Sequence, residues 1–234
     1  MYHAFWADWY LQAAMPALEA LFFRHLQPGA KVLDVCCGPG HVTKELVRRG
    51  YIVTGIDSSP QLIAIARREL PGADLRVQDA RQLNVGSDYN AALSTFDSLN
   101  HILTLDDLQL VFSGVHAALE SGGRFVFDMN LEDAYSADLR EWGVHQAHDE
   151  MGLVRGLYDY ATKRATTELI WFRRAANECW HRTRSIVEER CYEEVEIFTA
   201  LRGAGFRDIE SVNARDAGMA SDIGWGRIFV TARA

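Results

Sequence analysis

Several features that mark large protein classes are missing from this chain. Only four cysteines occur in 234 residues. Cys36 and Cys37 are adjacent, Cys179 and Cys191 are distant, and neither spacing suits a zinc site or a disulfide framework. Cysteine as a small buried apolar residue accounts for them better, and a reducing, cytoplasmic location is expected. No apolar run approaches the roughly 20 residues that cross a bilayer. The first residues, Met1 to Asp8, show no basic leader followed by an apolar core, so no secretory signal is expected. An excess of positive charge is also lacking. With 24 Lys and Arg against 32 Asp and Glu the formal charge is −8, which argues against a large nucleic-acid footprint. No nucleophilic triad, metal-ligating cluster, repeat, linker or low-complexity run is visible, so no bound metal is expected.

What is present is an ordinary globular composition, 48 % hydrophobic and 24 % charged, long enough for one α/β domain with an insertion. The central stretch is Lys31 to Gly40. Val32, Leu33 and Val35 form a short apolar run between Pro28-Gly29 and Cys37-Gly38-Pro39-Gly40, the pattern of a doubly buried strand ended by a tight turn. His41 to Arg49 then carries Val42, Leu46 and Val47 on one helical face, with Gly50 as its stop. A strand, a glycine loop and a helix open a nucleotide-binding βαβ unit, in which the loop admits close approach and the helix start favours a negative ligand group. Tyr51 to Ile56 reads as a second buried strand ending on Asp57, which either accepts the hydroxyls of a ribose or starts the turn through Ser58 and Ser59. The dinucleotide pattern of three spaced glycines is incomplete, because Cys36 takes a glycine's place. A pyrophosphate is therefore poorly served.

Leu33-Asp34-Val35-Cys36-Cys37-Gly38-Pro39-Gly40 resembles the first motif of the class I S-adenosylmethionine-dependent methyltransferases, with Cys36 and Pro39 as departures. Pro39 stiffens the loop and removes one N–H donor. The resemblance implies a Rossmann-like seven-stranded sheet, last strand antiparallel, with helices on both faces. It implies S-adenosylmethionine as cofactor, held by Asp34, Cys36, Gly38, Gly40, Asp57 and Ser58. The third strand, Leu75 to Gln78, ends in Asp79-Ala80, the adenine-reading position of that family. The fourth, Tyr89 to Ser94, leads into Thr95-Phe-Asp-Ser-Leu-Asn-His101, similar to a segment of one bacterial small-molecule subgroup. There Phe96 packs on the methionine part of the cofactor, and Asn100 and His101 face the substrate.

The remaining elements are read from pattern. Ser59 caps, and Pro60 begins, a helix with Leu62, Ile63, Ala66 and Leu70 on its apolar stripe. Thr104 and Asp107 form a capping box, and Leu108 to Leu119 make a helix that Gly122-Gly123 closes. Arg124 to Met129 is the fifth strand, with Asn130 at its end. Residues 140–191 alternate with period two in three stretches, Met151–Tyr160, Ala165–Arg173 and Cys179–Cys191, the sign of a small antiparallel sheet inserted over the strand ends. The core is then 1–139 and 192–234, with Arg207–Asn213 and Arg227–Arg233 as the last strands. Residues 1–27, rich in aromatics, form either a plug at the end of the sheet or, as the resemblance suggests, a lid carrying Tyr10 to the substrate. Trp171 of the insertion is a further substrate-side candidate. Residues 151–190 hold eight Arg and Lys against five Asp and Glu. That basic balance either faces an anionic substrate or is a set of solvated arginines on an outer face.

The expected activity is methyl transfer to N, O or C of a small molecule, with His101 as the candidate base. His145, His148 and His181 are weaker candidates. A nicotinamide-linked oxidoreductase and a cofactor-binding protein without turnover are the rivals.

Overall fold

The computed structural model describes residues 2–136, 142–147, 149–175, 178–219 and 222–234. Eleven strands and six α-helices alternate along them. They are α1 (Tyr2–Leu21), β1 (Lys31–Val35), α2 (His41–Arg48), β2 (Ile52–Asp57), α3 (Pro60–Glu69), β3 (Asp74–Val77), β4 (Tyr89–Ser94), α4 (Leu105–Ala118) and β5 (Leu119–Asn130). Then come α5 (Glu132–Ser136), β6 (Gly143–Ala147), β7 (Glu150–Asp159), β8 (Arg164–Arg174), β9 (Trp180–Arg190), α6 (Glu194–Gly203), β10 (Arg207–Asn213) and β11 (Arg227–Arg233).

The larger sheet has the order β10-β11-β5-β4-β1-β2-β3, with β11 antiparallel to both neighbours and the remaining pairs parallel. Chain order reverses between β1 and β4, and ligands of open α/β sheets lie beyond the strand ends at such a point. Period-two alternation divides the central strands between two apolar layers. Leu33, Ala92, Phe125 and Phe127 pack with Phe112 of α4 and Leu201 of α6. Val32, Leu93 and Val126 pack with Tyr10, Ala14 and Leu18 of α1 and Leu46 of α2. From Tyr10 onward α1 is thus a core layer.

Local chemistry sets the helix starts. Ser59 accepts from the Leu62 N–H, Pro60 occupies the first turn, and Thr104 accepts from the Asp107 N–H. The α4 helix stops at Ala118 rather than at the glycine pair. Leu119 already pairs with Tyr89, and a register irregularity before Ala91 absorbs the Gly122 turn at φ 81°.

The second sheet, β6-β7-β8-β9, is antiparallel throughout. The three alternating stretches read from the sequence are β7, β8 and β9; β6 is an additional edge strand. On β9, Val187 and Glu189 share one face, and Arg182 and Arg184 lie on the other, where Glu168 holds Arg184 at 2.6 Å.

Candidate active site

The glycine loop is built from left-handed backbone. Cys36, Gly38 and Gly40 have φ of 61°, 55° and 89°. Cys36 is the costly one, since only glycine adopts that region freely. Its neighbour Cys37 is buried against Gly55 of β2, where an added Cβ would stand 3.0 Å from the Cys37 sulfur. Burial pushes both thiols well above their usual range. Neither thiol is therefore poised as a nucleophile.

Asp57, at the end of β2, ties two loops together. Its Oδ2 accepts from the Gly38 N–H at 2.9 Å and its Oδ1 from the Ser59 N–H at 2.8 Å. Asp79, beyond β3, accepts from the Arg81 N–H at 2.9 Å and from the Arg81 guanidinium at 2.6 Å. That guanidinium holds the Asp79 carboxyl below the usual carboxylate range. Arg81 also reaches Asp107 at 3.5 Å.

After β4 the chain turns through Phe96 and Asp97, both left-handed at φ 63° and 48°. A buried charge network holds this strained turn. The Asp97 N–H donates to Asp128 Oδ2 at 3.1 Å, Arg227 donates to Asp97 at 2.7 Å and also to Asp128, and Tyr10 donates to Asp128 Oδ1 at 2.9 Å. Burial raises the Asp128 carboxyl. For Arg227 burial pulls downward, but Asp97 and Asp128 together outweigh it and the guanidinium stays charged.

These elements surround one cavity of about 880 Å³, within the range of a small-ligand site. Cys36, Gly38, Asp57, Ser58, Ser59, Leu62, Asp79 and Arg81 line one side. Phe96, Asp97, Ser98, His101, Ile102, Leu103 and Asp107 form another, and Thr167, Val187 and Glu189 of the second sheet close it. Of the residues expected at the cofactor, Cys36, Gly38, Asp57, Ser58, Asp79 and Phe96 stand in this wall, and so does His101.

The other expected residues lie elsewhere, each for a physical reason. Asp34 is buried beneath the loop, where Thr43 donates to it at 2.6 Å; it anchors α2 instead of facing the cavity. Burial pushes its carboxyl up to about 7. Gly40 faces α3, and a Cβ there would lie 3.2 Å from Ala66 and Leu70. Ala80 is packed into the core. Tyr10 does not reach the substrate side: it is buried, its hydroxyl is taken by Asp128, and its ring stacks behind Phe96 at 4.4 Å.

Asn100 is fully buried. It donates to the Asn130 and Arg190 carbonyls at 3.0 and 2.8 Å and accepts from the Asn130 N–H at 3.0 Å. It fastens the second sheet to the first, and Asn130 contributes backbone to that clip. Trp171 is buried over Gly152 inside the second sheet, outside the cavity wall. His148 falls outside the described residues, and neither His145 nor His181 lines the cavity.

Asp97 and Glu189 were not foreseen, yet with His101 they bring one ligand atom each to within 4.8 Å of one another. Glu189 sits at the end of a period-two strand with nothing local to mark it. Asp97 lies inside the quoted Phe96–His101 segment, and the acid there was the available signal. The Glu189 carboxyl is raised by burial and by Asp97, while its Oε2 accepts from Tyr135 at 2.7 Å.

Known proteins resemble this chain in part of its sequence and in its fold. Residues 32–123 match the family described as Methyltransferase domain. An uncharacterized methyltransferase of Synechocystis sp. is 38 % identical over 43 % of this chain and 47 % of its own length. A dTDP-3-amino-3,6-dideoxy-alpha-D-glucopyranose N,N-dimethyltransferase of Streptomyces fradiae is 36 % identical over 41 % of this chain and 36 % of its own. These matches span about half the relatives' length or less. Among solved structures, an S-adenosylmethionine-dependent methyltransferase from Clostridium acetobutylicum superposes with a TM-score of 0.81, covering 96 % of this chain and 91 % of that one at 22 % identity.

Proposed function

We propose that the chain is a class I S-adenosylmethionine-dependent methyltransferase and that it methylates a small molecule seated between the cofactor and His101. One observation carries this. The strand-end acids Asp57 and Asp79 and the Cys36–Gly38 loop form one wall of a cavity whose other walls are Phe96, His101 and the second sheet. The donor set fits the cofactor: carboxylate oxygens for the ribose hydroxyls and the adenine amine, and the Phe96 ring for the methionine chain. S-adenosylmethionine supplies a methyl on a positively charged sulfur, which leaves as the bond to the acceptor forms.

The protein's own part is to bind, align and exclude water. Thr167, Val187 and Glu189 cover the acceptor side and determine what fits there. His101 is the group for any proton that must leave. Its Nδ1 lies 3.2 Å from the Glu188 carbonyl, which only accepts, so Nδ1 keeps its hydrogen there and Nε2 is the ring atom left to exchange a proton. The relative that acts on an amino sugar supports nitrogen as an acceptor atom.

Calorimetry with S-adenosylhomocysteine and with NADH tests the assignment. Binding of the former and none of the latter is expected. Tight NADH binding without S-adenosylhomocysteine binding would return the chain to the oxidoreductases.

A further inference from the structure

The acceptor side of the cavity is acidic. Asp97 is 5 % exposed, Glu189 comes in from β9, and both stand beside His101. The three ligand atoms lie within 4.8 Å of one another, with His101 Nε2 and Glu189 Oε1 at 3.9 Å, so a single small cationic group meets all three at once.

Charge decides which kind of ligand such a wall takes. Among the described residues lining the cavity, Arg81 and His101 are the basic groups. Arg81 is held by Asp79 and Asp107, and the buried Arg227 behind the wall takes one oxygen of Asp97. Arg182 and Arg184 lie on the far face of the second sheet, so the basic balance of that segment does not meet the cavity.

We propose that Asp97, Glu189 and His101 cradle the ammonium group of a primary alkylamine, which is the methyl acceptor; this rests on the methyltransferase reading above. One ammonium proton passes to His101 Nε2 and leaves through its exposed edge. The freed nitrogen lone pair forms the N–C bond as the S–C bond breaks. Ammonium and sulfonium become methylammonium, S-adenosylhomocysteine and one proton. Asp97 and Glu189 hold the remaining N–H groups and aim the lone pair.

The test uses the full chain saturated with S-adenosylhomocysteine and titrated with n-butylamine and cyclohexylamine, against n-butanol, cyclohexanol and cyclohexanecarboxylate. Amines binding at least about tenfold tighter than the alcohols, and the carboxylate weakest, is the expected result. Glu189→Gln loses about that factor for amines only. Its unchanged S-adenosylhomocysteine affinity serves as the folding control, with His101→Asn as a second variant. Alcohol or carboxylate binding as well as amine overturns the proposal, as does full amine affinity in both variants or a requirement for added Mg²⁺, Mn²⁺ or Zn²⁺. A wild-type chain that does not bind S-adenosylhomocysteine at all refutes the methyltransferase reading instead.

Discussion

At the scale of single residues, position and chemistry separate groups that look alike in sequence. Asp57 and Asp34 both stand on central strands, yet Asp57 lines the cavity and Asp34 is sealed under the loop. Asp57→Ala is expected to weaken S-adenosylhomocysteine binding by about 1–3 kcal/mol, through lost ribose hydrogen bonds and two freed loop amides. Unchanged affinity by calorimetry would remove Asp57 from the site. Asp34 is expected to appear in stability instead. Its folded-state carboxyl is raised to about 7 by burial. The folded chain therefore holds a proton that the unfolded chain has lost, and the Asp34 contribution falls as pH rises from about 4 toward 7. Urea unfolding of Asp34→Asn is expected to show a shallower loss over that window, by at most a few kcal/mol. Identical pH profiles for variant and wild type would contradict the burial argument. Asp57 was legible because a strand-end acid after a glycine loop has a ligand-facing precedent in the βαβ unit. The burial of Asp34 was not, because its partner Thr43 lies on the next helix.

At the scale of elements, the parallel core was legible from apolar runs and caps, since those are local signals. The edge strand β6, Gly143–Ala147, was missed because its short stretch carries little apolar alternation, although it pairs in a tight hairpin with β7. The early end of α4 was not legible either, because pairing of Leu119 to the distant Tyr89 decides it. Asn100 shows the same limit: it reads as a ligand-facing side chain and acts as a clip joining the β4 connection to the ends of β5 and β9. Asn100→Ala leaves buried backbone groups unpaired and is expected to cost about 2–4 kcal/mol, measured by denaturant unfolding. A cost below about 0.5 kcal/mol would mean the clip is dispensable. In the second sheet, a Cβ at Gly152 would stand 2.1 Å from the Trp171 ring. Gly152→Ala is expected to open that sheet to limited proteolysis and lower turnover while cofactor affinity stays. Resistance to protease equal to wild type would show that the ring has room to move.

At the scale of the whole molecule, one buried network joins the first helix, the β4 turn, β5 and the last strand. Tyr10, Asp97, Asp128 and Arg227 are separated by up to 217 positions in sequence and meet within hydrogen-bond reach. Nothing local announces this, which is why Tyr10 reads as a lid residue when it is a strut behind Phe96. Arg227→Met strands two buried carboxylates and is expected to destabilise the fold by about 3–5 kcal/mol. A thermal midpoint equal to wild type would show that the network is not needed to hold the turn.

The account as a whole stands on where the cofactor lies. The direct measurement is a crystal structure of the chain soaked with S-adenosylhomocysteine. The ribose hydroxyls should rest on Asp57, the adenine should lie beside Asp79, and the sulfur should face the space bounded by Phe96, His101 and Glu189. Density elsewhere, or a ribose out of reach of Asp57, would contradict it.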